Sequence, residues 1–382
     1  MATATESRRG DPVGTLAAMA DVQPFRAVRY SGAAGALPDL VAPPYDAVSA
    51  ETRRQLFTRS PHNVVHLTLP DSAPEAGALY RSWLSDGVLV EDEEPAAWVL
   101  VESFVGPDGV ARERRGVVVS LAVEPYETGS VLPHERTHPR IREERLRLLR
   151  ETRVHLEPIF LLVEGDLEIT PPEREPDAHI DAARLWRVPD LDLAALGVAP
   201  LLIADGHHRY ESALEHAAES DASGARIMAL LVSTRDPGLE VFPTHRTFAG
   251  RRDLLTADEL EAGERFGDVR EALARLTDEP GARSAAVAYR ADGAELVRGG
   301  EGELDAELVD RVGLDGIGYT PVAEDAVRAV DRGEADVAFL LRAPRVGDVF
   351  AAARRGERMP PKSTYFFPKP LSGLLFHPVE PR

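Results

Sequence analysis

The sequence contains no cysteine. That absence removes thiol nucleophiles, disulfides, cysteine-ligated zinc and iron–sulfur clusters. No apolar run reaches 18 residues, so nothing reads as a membrane-crossing helix. Basic residues are in deficit: 44 Lys+Arg stand against 64 Asp+Glu, a formal net charge of −20. A surface so acidic repels phosphodiester backbones, which excludes broad nucleic-acid binding but leaves room for a local basic patch holding one phosphate group. There is also no G-x-x-x-x-G-K-[ST] loop, no G-x-G-x-x-G after a strand and no G-x-S-x-G elbow. The common nucleotide cradles and the hydrolase nucleophile therefore have no support.

What is present fits a packed protein. A hydrophobic content of 43% over 382 residues is enough for about two domains. Residues 1–22 lack an apolar signal core and are expected to be a disordered tail, leaving the protein soluble and cytoplasmic. Residues 23–249 are expected to form one packed part. Beyond Gly250 the composition turns more acidic and Ala/Leu-rich, and 250–345 is read as a second α/β unit. The Pro-, aromatic- and Lys-dense stretch inside 346–382 is expected to fold back on the first part. Ser49 caps a predicted helix over 49–59. The turn Gly106-Pro107-Asp108-Gly109 joins two strands, Ala97–Phe104 and Arg115–Val123. Further helices are expected at 140–153, 257–265, 268–276 and 322–332, and a hairpin turns on Asp292-Gly293.

His134-Glu135-Arg136-Thr137-His138 matches the zinc-protease string H-E-x-x-H. The string chelates only on a helix, where residues i and i+4 share a face. Pro133 precedes it and Pro139 follows, and a residue before proline is pushed out of the helical region. The helix is expected to start after the motif, so the zinc reading is rejected.

A stronger signal is Leu202-Ile203-Ala204-Asp205-Gly206-His207-His208-Arg209-Tyr210. An apolar strand, a glycine turn and an immediate helix start leave unpaired N–H groups and the positive end of the helix dipole together, a natural anion site. Arg209 adds a permanent charge and Asp205 is placed to cap the helix. Adjacent histidines project about 100° apart on a helix. One is expected to face a ligand while the other packs. The alternative is a capped structural turn with two satisfied core histidines.

This turn resembles the D-G-H-H-R signature of the ParB/sulfiredoxin-like superfamily. The chain from about 23 to 378 is similar to a widespread bacterial family of unknown function through Ala42-Pro43-Pro44-Tyr45-Asp46, Pro133-His134-Glu135, Pro243-Thr244-His245-Arg246 and Met359-Pro360-Pro361-Lys362-Ser363-Thr364-Tyr365-Phe366-Phe367-Pro368-Lys369. The resemblance implies a mixed α/β (α+β) fold: a ParB/sulfiredoxin-like core, an appended α/β subdomain and a returning C-terminal segment. Its superfamily includes free-serine kinases using ADP or ATP, sulfiredoxins and CTP-binding segregation proteins. Sulfiredoxin chemistry needs a cysteine that is missing here, and the acidic charge opposes DNA binding.

Phosphoryl transfer from a nucleotide to a small hydroxyl-bearing metabolite survives this pruning. It needs positioning, charge neutralisation and a base. On that implication Asp205, Gly206, His207, His208, Arg209, His245, Arg246 and Lys362 bind ATP or ADP, and Glu135, His208 and Asp46 are the catalytic candidates. Asp46 serves as a second base or a Mg²⁺ ligand, or is a plain turn aspartate. Glu135 is either the base or an ion-pair partner. The rival class is a non-catalytic nucleotide or phosphometabolite sensor. The six arginines of 140–153 are read as a surface helix of Glu–Arg pairs, with an anion-facing wall as the other option.

Overall fold

The structure, a computed structural model, describes residues 19–194, 200–219, 224–251 and 261–379. Its frame is a mixed nine-stranded sheet. In order across it run Val131–Leu132, Leu201–Asp205, Ile159–Val163, Arg226–Ser233, Ala111–Ala122, Ala97–Val105, Ala183–Val188 and Ala178–Ile180, with Val22–Gln23 also pairing Ala111–Ala122. Leu201–Asp205 runs parallel to Val131–Leu132 and Arg226–Ser233 parallel to Ile159–Val163, while the other pairings are antiparallel.

The central strands are continuous apolar runs because both faces of the sheet are covered. Phe160, Leu162, Leu202 and Ala204 enter one core, and Ile159, Leu161, Leu201 and Ile203 enter the other. The second core is closed by Tyr210 and Ala213 of the helix His207–Glu219. The first is closed by Val349 and Phe350 of the helix Val346–Arg354 and by Met359, Phe366 and Leu375 further on. Each large apolar side chain so buried contributes roughly 1.5–3 kcal/mol.

A second, antiparallel sheet of six strands runs Glu261–Phe266, Gly293–Glu301, Arg283–Arg290, Val337–Leu340, His245–Phe248 and Ile317–Thr320. The C-terminal segment is tied to the rest by strand pairs. Tyr365–Phe367 pairs with Glu240–Phe242, and His377–Pro378 with Val154–His155.

The capped helix forms as Ala50–Arg59, with Ser49 Oγ accepting the Thr52 N–H. Two expectations differ. The last residues of the expected tail belong to the fold, since Ala20 is buried and Val22 pairs with Leu121, while residues 1–18 lie outside the described set. The helix expected at 257–265 is instead a strand from Glu261 to Phe266, with 257–260 outside the described residues. Gly263 explains the difference: a Cβ there would stand 1.5 Å from Leu296 O, so only glycine allows the neighbouring strand so close.

Candidate functional site

A cavity of about 490 Å³ opens where the strand Leu201–Asp205 meets the helix His207–Glu219. Gly206 makes the turn at φ +101°, and a Cβ there would lie 2.8 Å from Ile159 Cγ2. The position requires glycine on both counts. The first amides of the helix, at His207, His208 and Arg209, have no helical carbonyl to reach. Asp46, Glu135, Asp205, Gly206, His207, His208, Arg209 and Lys362 all line this cavity, as do Thr244, just ahead of the strand His245–Phe248, and Tyr319 and Thr320 of the second sheet.

The two histidines do something the sequence did not show. His207 Nε2 accepts the backbone N–H of His134 at 3.3 Å, and His208 Nε2 accepts that of His138 at 2.8 Å. Consecutive imidazoles, diverging around the helix, thus hold both ends of the proline-flanked loop 133–139. Both must be neutral to accept. Burial pushes His208 down to about 4, and burial with the neighbouring His134 lowers His207 well below its ordinary value. His134 donates from Nδ1 to Ile203 O at 2.7 Å and accepts the Thr364 hydroxyl on Nε2 at 2.9 Å.

The loop is equally tied on its other side. Arg358 donates to Pro133 O at 2.8 Å, Met359 N–H to His134 O at 2.7 Å, and Lys362 N–H to Glu135 Oε1 at 3.2 Å. Lys362 adopts φ +59°, uncommon for a side-chain-bearing residue, to present that amide. Burial raises the Glu135 carboxyl above its usual value, against the pull of the Lys362 amide and charge. The H-E-x-x-H string is not helical: His138 is extended at φ −92°, ψ 123° and caps a helix that begins at Pro139.

Charge is arranged as a chain. Lys369 Nζ lies 2.7 Å from Asp205 Oδ1 and also pairs with Asp46, and Asp205 Oδ2 lies 2.5 Å from Arg209 Nη2. Burial alone would lift Asp205, but the Lys369 and Arg209 charges outweigh it and hold the carboxyl below its ordinary range. Four expectations change accordingly. Asp205 pairs with cations where a helix cap was expected. Arg209, which also donates to Pro158 O, is a strut within the turn more than a clamp open to a ligand. Asp46 is held by an ammonium, and His208 has its Nε2 committed to the loop. The cations lining the cavity with no ion pair among the described residues are Lys362 and Arg136.

His245 and Arg246 do not line the cavity. His245 Nδ1 accepts the Leu341 N–H at 3.1 Å, and burial pushes it down to about 4. Arg246 is fully buried beside Asp310, its Nε 3.2 Å from Oδ1, behind the Tyr319 ring. The Leu341 amide occupies His245 Nδ1, and Asp310 retains Arg246. The residue that sequence reasoning missed is Lys369, which sits in the quoted C-terminal motif without any local sign of its partners. On the 139–152 helix, Arg140 pairs with Glu144 at 3.0 Å and Arg147 with Glu143 at 2.9 Å, as expected of a surface helix.

The family model described as "Protein of unknown function (DUF1015)" matches residues 22–315. The chain belongs to that family. No curated protein matches it. Among solved structures, a conserved hypothetical protein from Pyrococcus furiosus is 20% identical, at a TM-score of 0.39 over 65% of this chain and 90% of that one. A free serine kinase in complex with AMP is 17% identical, at 0.42 over 67% and 91%. SbnI with a C-terminal truncation, from Staphylococcus aureus, is 13% identical, at 0.41 over 65% and 82%. Likeness at these scores decides nothing about the chemistry of this family member.

Proposed function

We propose that the chain is a nucleotide-dependent phosphotransferase acting on a small hydroxyl-bearing metabolite, in the manner of a free-serine kinase. The observation that carries the reading is the coincidence of three features in one 490 Å³ cavity. Unpaired amides start a helix, two cations lack ion pairs, and a carboxylate of raised pKa stands opposite. The first two call for an anion of more than one charge. The third is a base kept off a solvated surface.

In this reading ATP or ADP supplies the phosphoryl group. The first-turn amides with Lys362 and Arg136 hold its phosphates. Glu135 takes the proton of the acceptor hydroxyl, and the loop 133–139, held from both sides, fixes that carboxylate in place. His208 then acts as a positioning residue, and so does Lys369. Mg²⁺ does not fit the carboxylates as they stand, because Asp46 and Asp205 share the Lys369 ammonium. No step is therefore routed through a metal. The reading takes 23–249 as a ParB/sulfiredoxin-like core, 250–345 as its subdomain and 346–382 as the returning segment, in a cytoplasmic enzyme without a DNA partner.

The test is a melt panel with ADP, ATP, CTP and GTP, followed by a phosphoryl-acceptor assay on wild type and Glu135→Gln. A nucleotide at about 100 times its Kd adds roughly 2.7 kcal/mol to stability. Glu135→Gln is expected to keep that shift and to lose roughly 10²–10⁴-fold in turnover. A shift without turnover in wild type, indifferent to Glu135, would establish the sensor instead.

A further inference from the structure

The loop bonds fix more than the position of the two histidines. A neutral imidazole carries one ring proton, and a nitrogen that accepts a hydrogen bond cannot hold it. His207 Nε2 accepts from the His134 N–H, and His208 Nε2 from the His138 N–H. Each ring therefore keeps its proton on Nδ1 and offers it as a donor. Neither Nδ1 has a hydrogen-bond partner among the described residues, although His207 is only 5% exposed. Both residues line the 490 Å³ cavity, at the helix start where the first amides are also unpaired.

The three carboxylates lining the cavity each have a partner of their own. Asp205 pairs with Lys369 and Arg209, Asp46 with Lys369, and Glu135 accepts the Lys362 amide. Solvent can accept from Nδ1–H while the cavity is open. An anionic oxygen accepts more strongly, because the bond is then charge-assisted. It also draws the Nδ1 proton outwards and leaves Nε2 richer in electrons, a better acceptor for the loop amide.

We propose that His208 is a two-ended bridge, with Nδ1–H donating to an oxygen of a bound phosphate group and Nε2 holding His138, so that filling the site tightens the loop carrying Glu135. His207 repeats the arrangement at the other end of the loop, through His134. His208 then neither takes up nor releases a proton, and acid–base duty stays with Glu135. The bridge needs the phosphate site of the proposed function but not its phosphoryl transfer.

The loop partners of both imidazoles are themselves histidine amides, so one sample carrying nitrogen-15 histidine reports both ends of each bridge by NMR. Pyrophosphate is the probe. Without it, the His207 and His208 rings are expected to show the Nδ1–H pattern. On saturation, the His208 Nδ1 resonance should shift and exchange of the His138 amide should slow at least about fivefold, the low end of coupling between sites. Two variants separate the ends, because an asparagine amide overlays Nδ1 and a glutamine amide overlays Nε2. His208→Gln is expected to keep the protection of His138 without ligand and to lose roughly tenfold or more in pyrophosphate affinity. His208→Asn should keep most of the affinity and lose the slowing at His138. An Nε2–H pattern in wild type, or a saturated site with unchanged His138 exchange, would overturn the bridge, as would failure of wild type to bind pyrophosphate. The wild-type spectra decide the matter even if neither variant folds. Binding and tightening without turnover of any nucleotide would leave the bridge standing and remove the phosphotransferase. Turnover with an Nε2–H ring at His208 would do the reverse.

Discussion

His208 Nε2 accepts the backbone N–H of His138 at 2.8 Å, and this bond exists only while the imidazole is neutral. Acid therefore acts directly on the loop that carries Glu135. His134, His155, His208, His245 and His377 are pushed down to between about 3 and 4 by burial, and His207 lies well below its ordinary value. The unfolded chain takes up these protons near pH 6.5 and the native one does not. Stability is accordingly fully present above about pH 6.5 and lost as pH falls towards 4, by up to about 1.4 kcal/mol per pH unit for each histidine. Urea midpoints at pH 7.5, 6, 5 and 4.5 should drop progressively. A flat profile would mean that these imidazoles are accessible and protonated in the native state.

Removing the Lys369 ammonium leaves Asp46 and Asp205 facing each other half-buried. Lys369→Met should cost about 3–5 kcal/mol, the usual penalty for breaking a buried pair. Adding Asp46→Asn should recover part of the loss, because one of the two stranded charges is then gone. Chemical denaturation of the two variants checks this, and a double variant no better than the single would sink the ion-pair account.

Gly206→Ala combines a left-handed backbone with a Cβ 2.8 Å from Ile159. A loss of about 1–3 kcal/mol is expected, together with any nucleotide-dependent rise in the melt. The control is Gly129→Ala, which also has a positive φ but no atom within 4 Å. It should be milder and should leave ligand effects intact.

Lys362→Ala and Arg136→Ala should weaken nucleotide affinity while changing stability by less than about 0.5 kcal/mol, since neither side chain holds an ion pair. Titration calorimetry at two salt concentrations is the measurement. Arg140→Ala and Arg147→Ala, whose pairs with Glu144 and Glu143 are solvent-exposed, should change affinity not at all and stability by a few tenths of a kcal/mol.

The parts of the fold legible in the sequence were those specified locally. Ser49 caps its helix through its own hydroxyl, Gly206 turns the chain by its own φ, and Pro139 starts a helix that His138 cannot join. What escaped was set by distant chain. Glu261–Phe266 has helix-like composition, but its strand conformation is dictated by the carbonyl of Leu296. Arg209 read as open to a ligand because nothing nearby in sequence shows that Pro158 and Asp205 claim it. His245 and Arg246 read as site residues, yet the Leu341 amide and Asp310, far along the chain, claim them. Lys369 was invisible as a partner because its carboxylates lie far back along the chain.

That separation governs the order in which the protein can assemble during synthesis. Asp46 leaves the ribosome 323 residues before the ammonium that neutralises it. Until then Asp46 lacks its ammonium partner, and the loop of Glu135 lacks the Lys362 amide and the Thr364 hydroxyl that steady it. A nascent chain can complete the central strands and still have no working pocket. The ion pairs of the site are therefore complete only once the segment through Lys369 has been made.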